Sequence, residues 1–237
     1  VGDEGGSYDQ FRNSQRIDKD LFSGVLRIDV DQRPQNLPPN PHPAVIGGYS
    51  IPRDNPFVGA TSFNGFTVDP SKVRTEFYAV GMRTPWRFSM DPVTGTFFVN
   101  ETGQEVREEI NVLVKGGNYG WVAREGRYIH QTLWRPYYEN MYYIPPVIDY
   151  GREIGTGIAG GVFNHGDALP ELKDFYLFSD YYTGRIAAFD SDREGFLKQL
   201  VDLRNAVSEA EAEGDVEIVS ELQDQIMDLV SLRPNAI

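Results

Sequence analysis

Hydrophobic positions along most of this chain alternate in short runs rather than recurring every three or four residues. Val25-Leu-Arg-Ile-Asp29, Trp86-Arg-Phe-Ser-Met90, Thr96-Phe-Phe-Val99, Phe175-Tyr-Leu-Phe178 and Arg185-Ile-Ala-Ala-Phe189 each read as a strand. One turn pattern, Asp-x-x-[Ser/Thr]-Gly, precedes a strand-like run three times, at Asp20–Gly24, Asp91–Gly95 and Asp180–Gly184. Asp accepts a hydrogen bond from the backbone two residues on, and Gly supplies the positive φ that closes a short hairpin loop. The copies stand 71 and 89 residues apart, whereas propeller blades run about 40–50 residues. They therefore mark alternate blades or blades with long insertions; three unrelated hairpins would leave the same trace.

Two stretches interrupt the strands. Residues 32–56 hold seven prolines, from Pro34 to Pro56, and cannot form regular sheet or helix. Residues 128–146 gather Tyr137, Tyr138, Tyr142 and Tyr143, either as packing between blades or as a binding surface. The tail changes period. Leu200, Leu203, Val207 and Ala210, then Val219, Leu222, Ile226 and Leu229, fall at helical spacing, with Gly214-Asp215 as a stop and a fresh N-cap between them. Two amphipathic helices ending near Pro234 are predicted. Their narrow apolar stripe needs a cover: the sheets, the other helix, or a partner chain.

Composition narrows the function. The 22 basic and 35 acidic residues give a net charge of −13. Nucleic acid is excluded as a partner, because phosphate binding needs clustered Lys and Arg. No apolar run approaches the roughly 20 residues of a membrane span. With no cysteine, disulfides, thiol catalysis and cysteine metal sites are excluded. His42, His130 and His165 show no metal-ligand spacing. His42, among prolines, reads as exposed; His165 follows the strand-like Gly161-Val-Phe-Asn164 and can face a cleft.

The informative block runs from Tyr78 to Trp121. It contains Gly81-Met-Arg83-Thr-Pro85-Trp86, then Asn100-Glu-Thr-Gly103-Gln104, then Glu108-Glu-Ile-Asn111, then Gly116-Gly-Asn118-Tyr-Gly120-Trp121. This resembles the soluble quinoprotein glucose/sorbosone dehydrogenase family. Val1-Gly-Asp3-Glu-Gly5, Phe22-Ser-Gly24, Ile51-Pro-Arg-Asp-Asn55-Pro56-Phe57, Gly160-Gly161-Val-Phe and Phe178-Ser-Asp180 extend the resemblance over about residues 1–190.

The resemblance implies an all-β fold, a β-propeller of four-stranded antiparallel blades, incomplete relative to the family's six. Residues 1–195 would form the partial propeller and 196–237 the acidic helical segment. It implies oxidation of an aldose with pyrroloquinoline quinone and calcium, in the periplasm or outside the cell. Asp3 matches an acidic residue of the family's active-site region. Arg83, followed by Thr84 where the family commonly has Asn, matches the arginine facing the quinone. The Gly103 and Gln104 carbonyls match the dipeptide that ligates calcium. Asn164 stands where many members have Arg or Lys. The family's catalytic histidine lies upstream of the Gly-Asp-x-Gly segment at which this chain begins, so the expectation is that this chain alone does not turn over sugar. Two functions remain open: a sugar dehydrogenase, or a non-catalytic propeller that binds a partner through its loops and acidic helices.

Overall fold

The computed structural model describes residues 1–130 and 141–190; between 199 and 225 it describes residues 199, 202–203, 206–207, 209–210, 213–215, 217–219, 221–222 and 224–225. Thirteen strands are found among the described residues, and every strand pair is antiparallel. The largest sheet contains β5 (Pro85–Met90), β6 (Phe97–Thr102), β7 (Arg107–Leu113) and β10 (Ile148–Gly151), ordered β10-β7-β6-β5. A second is the three-stranded meander of β11 (Ile158–Asn164), β12 (Phe175–Asp180) and β13 (Ile186–Asp190). The remaining sheets have two strands each: β1 (Gly24–Leu26) with β4 (Phe77–Val80), β2 (Ser62–Phe63) with β3 (Phe66–Thr67), and β8 (Arg124–Glu125) with β9 (Tyr128–Ile129).

Two of the three repeated turns are built alike. In the β5–β6 loop, Asp91 Oδ1 accepts the Val93 amide, its carbonyl accepts the Gly95 amide, and Gly95 has φ +73°. In the β12–β13 loop, Asp180 Oδ1 accepts the Thr183 amide, its carbonyl accepts the Gly184 amide, and Gly184 has φ +67°. The first copy differs. There Ser23 takes the left-handed conformation, φ +64°. Gly24 instead begins β1, where a Cβ would stand 2.3 Å from the Ala79 carbonyl oxygen. Its glycine serves close strand approach and not a hairpin turn.

β11 packs across β5 and β6, and Ser89 donates to the Gly161 carbonyl. The core between the two large sheets is aromatic. Phe98 of β6 meets Tyr176 of β12 and Phe163 of β11, each at 4.8 Å between ring centroids. Ile110, Tyr150, Phe178 and Phe189 complete it. Each such side chain contributes about 1.5–3 kcal/mol by leaving water.

The described tail residues on either side of Gly214 are helical. Gly214 has φ +77°, and Asp215 Oδ1 accepts the Ile218 amide as an N-cap does. Val207 is buried in the sheet core, and Leu203, Val219 and Leu222 pack against it. The chain's own sheets thus cover these apolar positions. Leu200, Ile226, Leu229 and Pro234 lie outside the described residues. Among the described residues no helix is long and apolar enough to cross a membrane.

The proline-rich stretch forms only isolated bridges, Asp29 with Ser50 and Leu37 with Ile51. Of the tyrosine cluster, Tyr142 packs on a core of Ala79, Met82, Val99 and Ile144, and Tyr143 lies under Arg124 at 4.8 Å. Tyr137 and Tyr138 lie outside the described residues.

Candidate functional site at the strand ends

The site is built from loops where β4, β6 and β7 end. Gly81 follows β4 with φ +75°; a Cβ there would fall 2.2 Å from Asn118 Oδ1. That close approach admits the Gly116–Trp121 segment. Asn118 and Gln15 exchange side-chain amide hydrogen bonds at 2.8 and 3.0 Å, and Gln15 also donates to the Trp121 carbonyl at 2.6 Å. Tyr119 Oη accepts the Val114 amide and donates to the Val112 carbonyl. The Gly-Asn-Tyr-Gly-Trp run is therefore largely a clamp, and its product is the placement of Trp121.

Asp3 is buried against that indole. Its Oδ2 accepts Trp121 Nε1–H at 2.9 Å, its Oδ1 accepts the Gly5 amide at 3.1 Å, and its own amide donates to the Arg83 carbonyl. Both carboxylate oxygens are thus engaged, which suits Asp3 to positioning.

Arg83 lies 5.9 Å from the Trp121 ring centroid. Its Nη1 donates to the Gly103 carbonyl at 2.9 Å and the Thr102 carbonyl at 3.3 Å. Its Nε is buried without a hydrogen-bond partner among the described residues. Thr84 is half-buried, and its carbonyl accepts the Thr102 amide. At Gly103 a Cβ would stand 1.8 Å from the Arg107 carbonyl oxygen and 2.4 Å from Glu125 Oε1, so only glycine fits. Gln104 Oε1 accepts the Tyr8 amide at 2.8 Å.

The structure thus gathers Asp3, Arg83, Gly103 and Gln104, and adds Tyr8, Trp121, Glu125 and His130. Glu125 and His130 come from the β8–β9 hairpin, which His130 extends by donating its amide to the Ala123 carbonyl. The turn signal Glu125-Gly-Arg127 was present in the sequence. Pairing Ala123 with His130 puts Glu125 and His130 on one face.

Asn164 and His165 sit elsewhere. Asn164 Nδ2 donates to the Leu172 carbonyl, beside a 3₁₀ turn at Pro170–Leu172. His165 does not face the cleft expected of it. Its Nδ1 is 2.8 Å from Asp174 Oδ1 and its Nε2 is 2.7 Å from Asp91 Oδ1, so it staples two turns. His42, expected to be exposed, is half-buried, with Nε2 3.2 Å from Asp20.

Behind the site lie buried acids. Arg107 and Arg127 both pair with Asp149, at 3.0 and 2.8 Å. Arg152 pairs with Glu108, whose other oxygen accepts the Ile158 amide.

These features define an antiparallel β protein whose strand-end loops converge on an arginine, an aromatic wall and buried carboxylates. Residues 47–219 match the family described as Glucose / Sorbosone dehydrogenase, and the chain belongs to that family. The stretch holds Arg83, Gly103, Trp121, Glu125 and His130; Asp3 and Tyr8 precede it.

Relatives include the HIPL2 protein of Arabidopsis thaliana, 31% identical over 82% of this chain and 28% of that protein. The quinoprotein glucose dehydrogenase B of Acinetobacter calcoaceticus is 42% identical over 30% of this chain and 12% of that protein. A solved glucose dehydrogenase superposes with a TM-score of 0.51 at 18% identity, over 76% of this chain and 44% of that one, a likeness of fold. The chain thus spans less than half the length of the relatives it matches.

Proposed function

We propose that the protein is a quinone-dependent sugar dehydrogenase in which this chain holds the cofactor through Arg83. The observation that carries this reading is the Arg83 Nε–H, buried without an acceptor among the described residues while Nη1 is fixed on two carbonyls. A buried donor left unpaired costs about 1–3 kcal/mol. An oxygen of an anionic planar quinone would satisfy it, and the guanidinium would stabilise negative charge growing there. Trp121, held by Asp3, would give the ring a flat wall. Pyrroloquinoline quinone, when bound, supplies a hydride acceptor.

Calcium fits less well. The Gly103 carbonyl assigned to it by resemblance already accepts Arg83 Nη1. A dication about 2.3–2.6 Å from that oxygen would compete with the guanidinium. This same observation favours a second reading, a propeller that keeps the site's frame without its redox chemistry, and Thr84 and Asn164 point the same way.

A six-bladed propeller of which residues 1–195 form part, an acidic helical segment over 196–237, and a periplasmic or extracellular location belong to the first reading. The intact protein, reconstituted with the quinone, should reduce an acceptor dye with saturable dependence on glucose or another aldose. Turnover no greater than a quinone-only blank across a panel of aldoses would reject it.

A further inference from the structure

We propose that Tyr181 and Tyr182 form a stacking surface for a neutral polysaccharide, a binding site that does not depend on quinone chemistry. Both lie in the β12–β13 turn, 77% and 74% exposed. Their ring centroids are 5.2 Å apart with the planes at 88°, so the pair makes an open corner. The turn itself does not require them. Its sister in the β5–β6 loop closes on Asp91, Thr94 and Gly95 with Pro92 and Val93 in the two middle positions. Two exposed aromatic rings therefore answer to something outside the turn.

The corner is held in place before any ligand arrives. Asp180 Oδ1 accepts the Thr183 amide at 3.0 Å and the Thr183 hydroxyl at 3.1 Å, and Oδ2 accepts the Gly157 amide at 2.8 Å. The Tyr181 amide donates to the Gly157 carbonyl at 2.7 Å. Tyr182 lies against the bare face of Gly157, where a Cβ would stand 2.8 Å from Tyr182 Cδ2. Rigid tyrosines offer a large contact area at a small loss of conformational freedom.

Chemistry and position choose the ligand. A β-linked glucan turns its C–H bonds to the two faces of each ring and its hydroxyls to the rim. Tyrosine faces match the first. Exposed Thr156, Thr183 and Arg185, on the same two loops, offer hydrogen bonds to the second. A protein hot spot is instead an aromatic anchor inside a larger surface that excludes water. The net charge of −13 disfavours an anionic polymer. The turn also lies at the Arg83 end of the sheets. Arg83 Nη1 donates to the Thr102 carbonyl, Thr102 Oγ1 to the Ile158 carbonyl, and Ile158 pairs with Asp180. The sister turn lies at the opposite end, where Asp91 meets His165.

The test is native electrophoresis of the intact protein, without quinone, through gels holding hydroxyethylcellulose or polygalacturonate. Hydroxyethylcellulose should retard the wild type and polygalacturonate should not. A Tyr181→Ser, Tyr182→Val double variant places at position 182 the valine that the sister turn carries. It should weaken the interaction about tenfold or more. A Tyr181→Phe, Tyr182→Phe variant keeps both ring faces and should bind within about threefold of the wild type. Circular dichroism would check that both variants are folded. No retardation of the wild type by hydroxyethylcellulose, or equal retardation of the folded Ser/Val variant, would overturn the proposal. So would retardation by polygalacturonate as strong as by the neutral polymer. Sedimentation showing that the pair instead holds two copies together, with no glucan binding, would make it a protein contact and overturn the proposal too. None of these outcomes bears on quinone binding at Arg83, which stands or falls separately.

Discussion

Glu101 of β6 and Glu109 of β7 stand directly opposite one another across the sheet, and the Asn111 side-chain amide donates to both, at 3.4 and 3.1 Å. Both carboxyls are buried. Burial, first of all, pushes each one up, Glu109 to about 7; the Glu109 charge raises Glu101 further, as Asp149 and Glu125 raise Glu109. A carboxyl raised on folding contributes stability below its unfolded value of about 4.3, and that contribution is lost as pH rises through the folded value. Melting temperature should therefore fall between about pH 5 and about pH 8, and Glu109→Gln should flatten the fall. Parallel pH profiles for variant and wild type would show that burial of Glu109 does not set the pH dependence.

His165 makes a second, separable contribution. Its pKa is raised, by the hydrogen bond to Asp174 first and then by that to Asp91. Its stabilisation is complete below the unfolded value of about 6.5 and disappears as pH climbs through the raised one. His165→Gln should thus cost most at about pH 6 and least at about pH 9. A penalty constant with pH would mean that the staple is not ionic.

Gly81 joins a positive φ to a site with no room for a methyl group. Gly81→Ala should lower unfolding free energy by about 2–4 kcal/mol, read from denaturant midpoints. A loss under about 0.5 kcal/mol would show that the Gln15–Asn118 clamp gives way easily.

Arg83 Nη1 occupies the Gly103 oxygen that a calcium ion would need. Arg83→Met should release that carbonyl and increase calcium binding measured by calorimetry. Equal calcium affinity in wild type and variant would show that Gly103 is not a ligand.

Much of the sheet was legible because its signals are local. Strands β5, β6, β12 and β13 and the turns at Asp91 and Asp180 follow from alternation and from a glycine with positive φ. The Asp20 turn misled because its Gly24 serves contact with a strand more than 50 residues away, which no local pattern records. Arg83 and Gly103 were found by resemblance, and their juxtaposition is structural. His130 was passed over because its partners come from three distant places: Glu125 across a hairpin, Trp121 through the Asn118 clamp, and Tyr8 from the first ten residues. His165 drew attention for following a strand, yet its two carboxylates lie on separate turns.

The central claim, that Arg83 holds an anionic quinone, is tested most directly by binding and without turnover. Equilibrium dialysis of pyrroloquinoline quinone against the intact protein should show saturable binding. Arg83→Met should weaken it by about tenfold or more, the loss of one charge-assisted hydrogen bond of about 1.5–3 kcal/mol. Circular dichroism would check that the variant remains folded. Absence of quinone binding by the wild type, or equal affinity in the folded Arg83→Met variant, would contradict the claim.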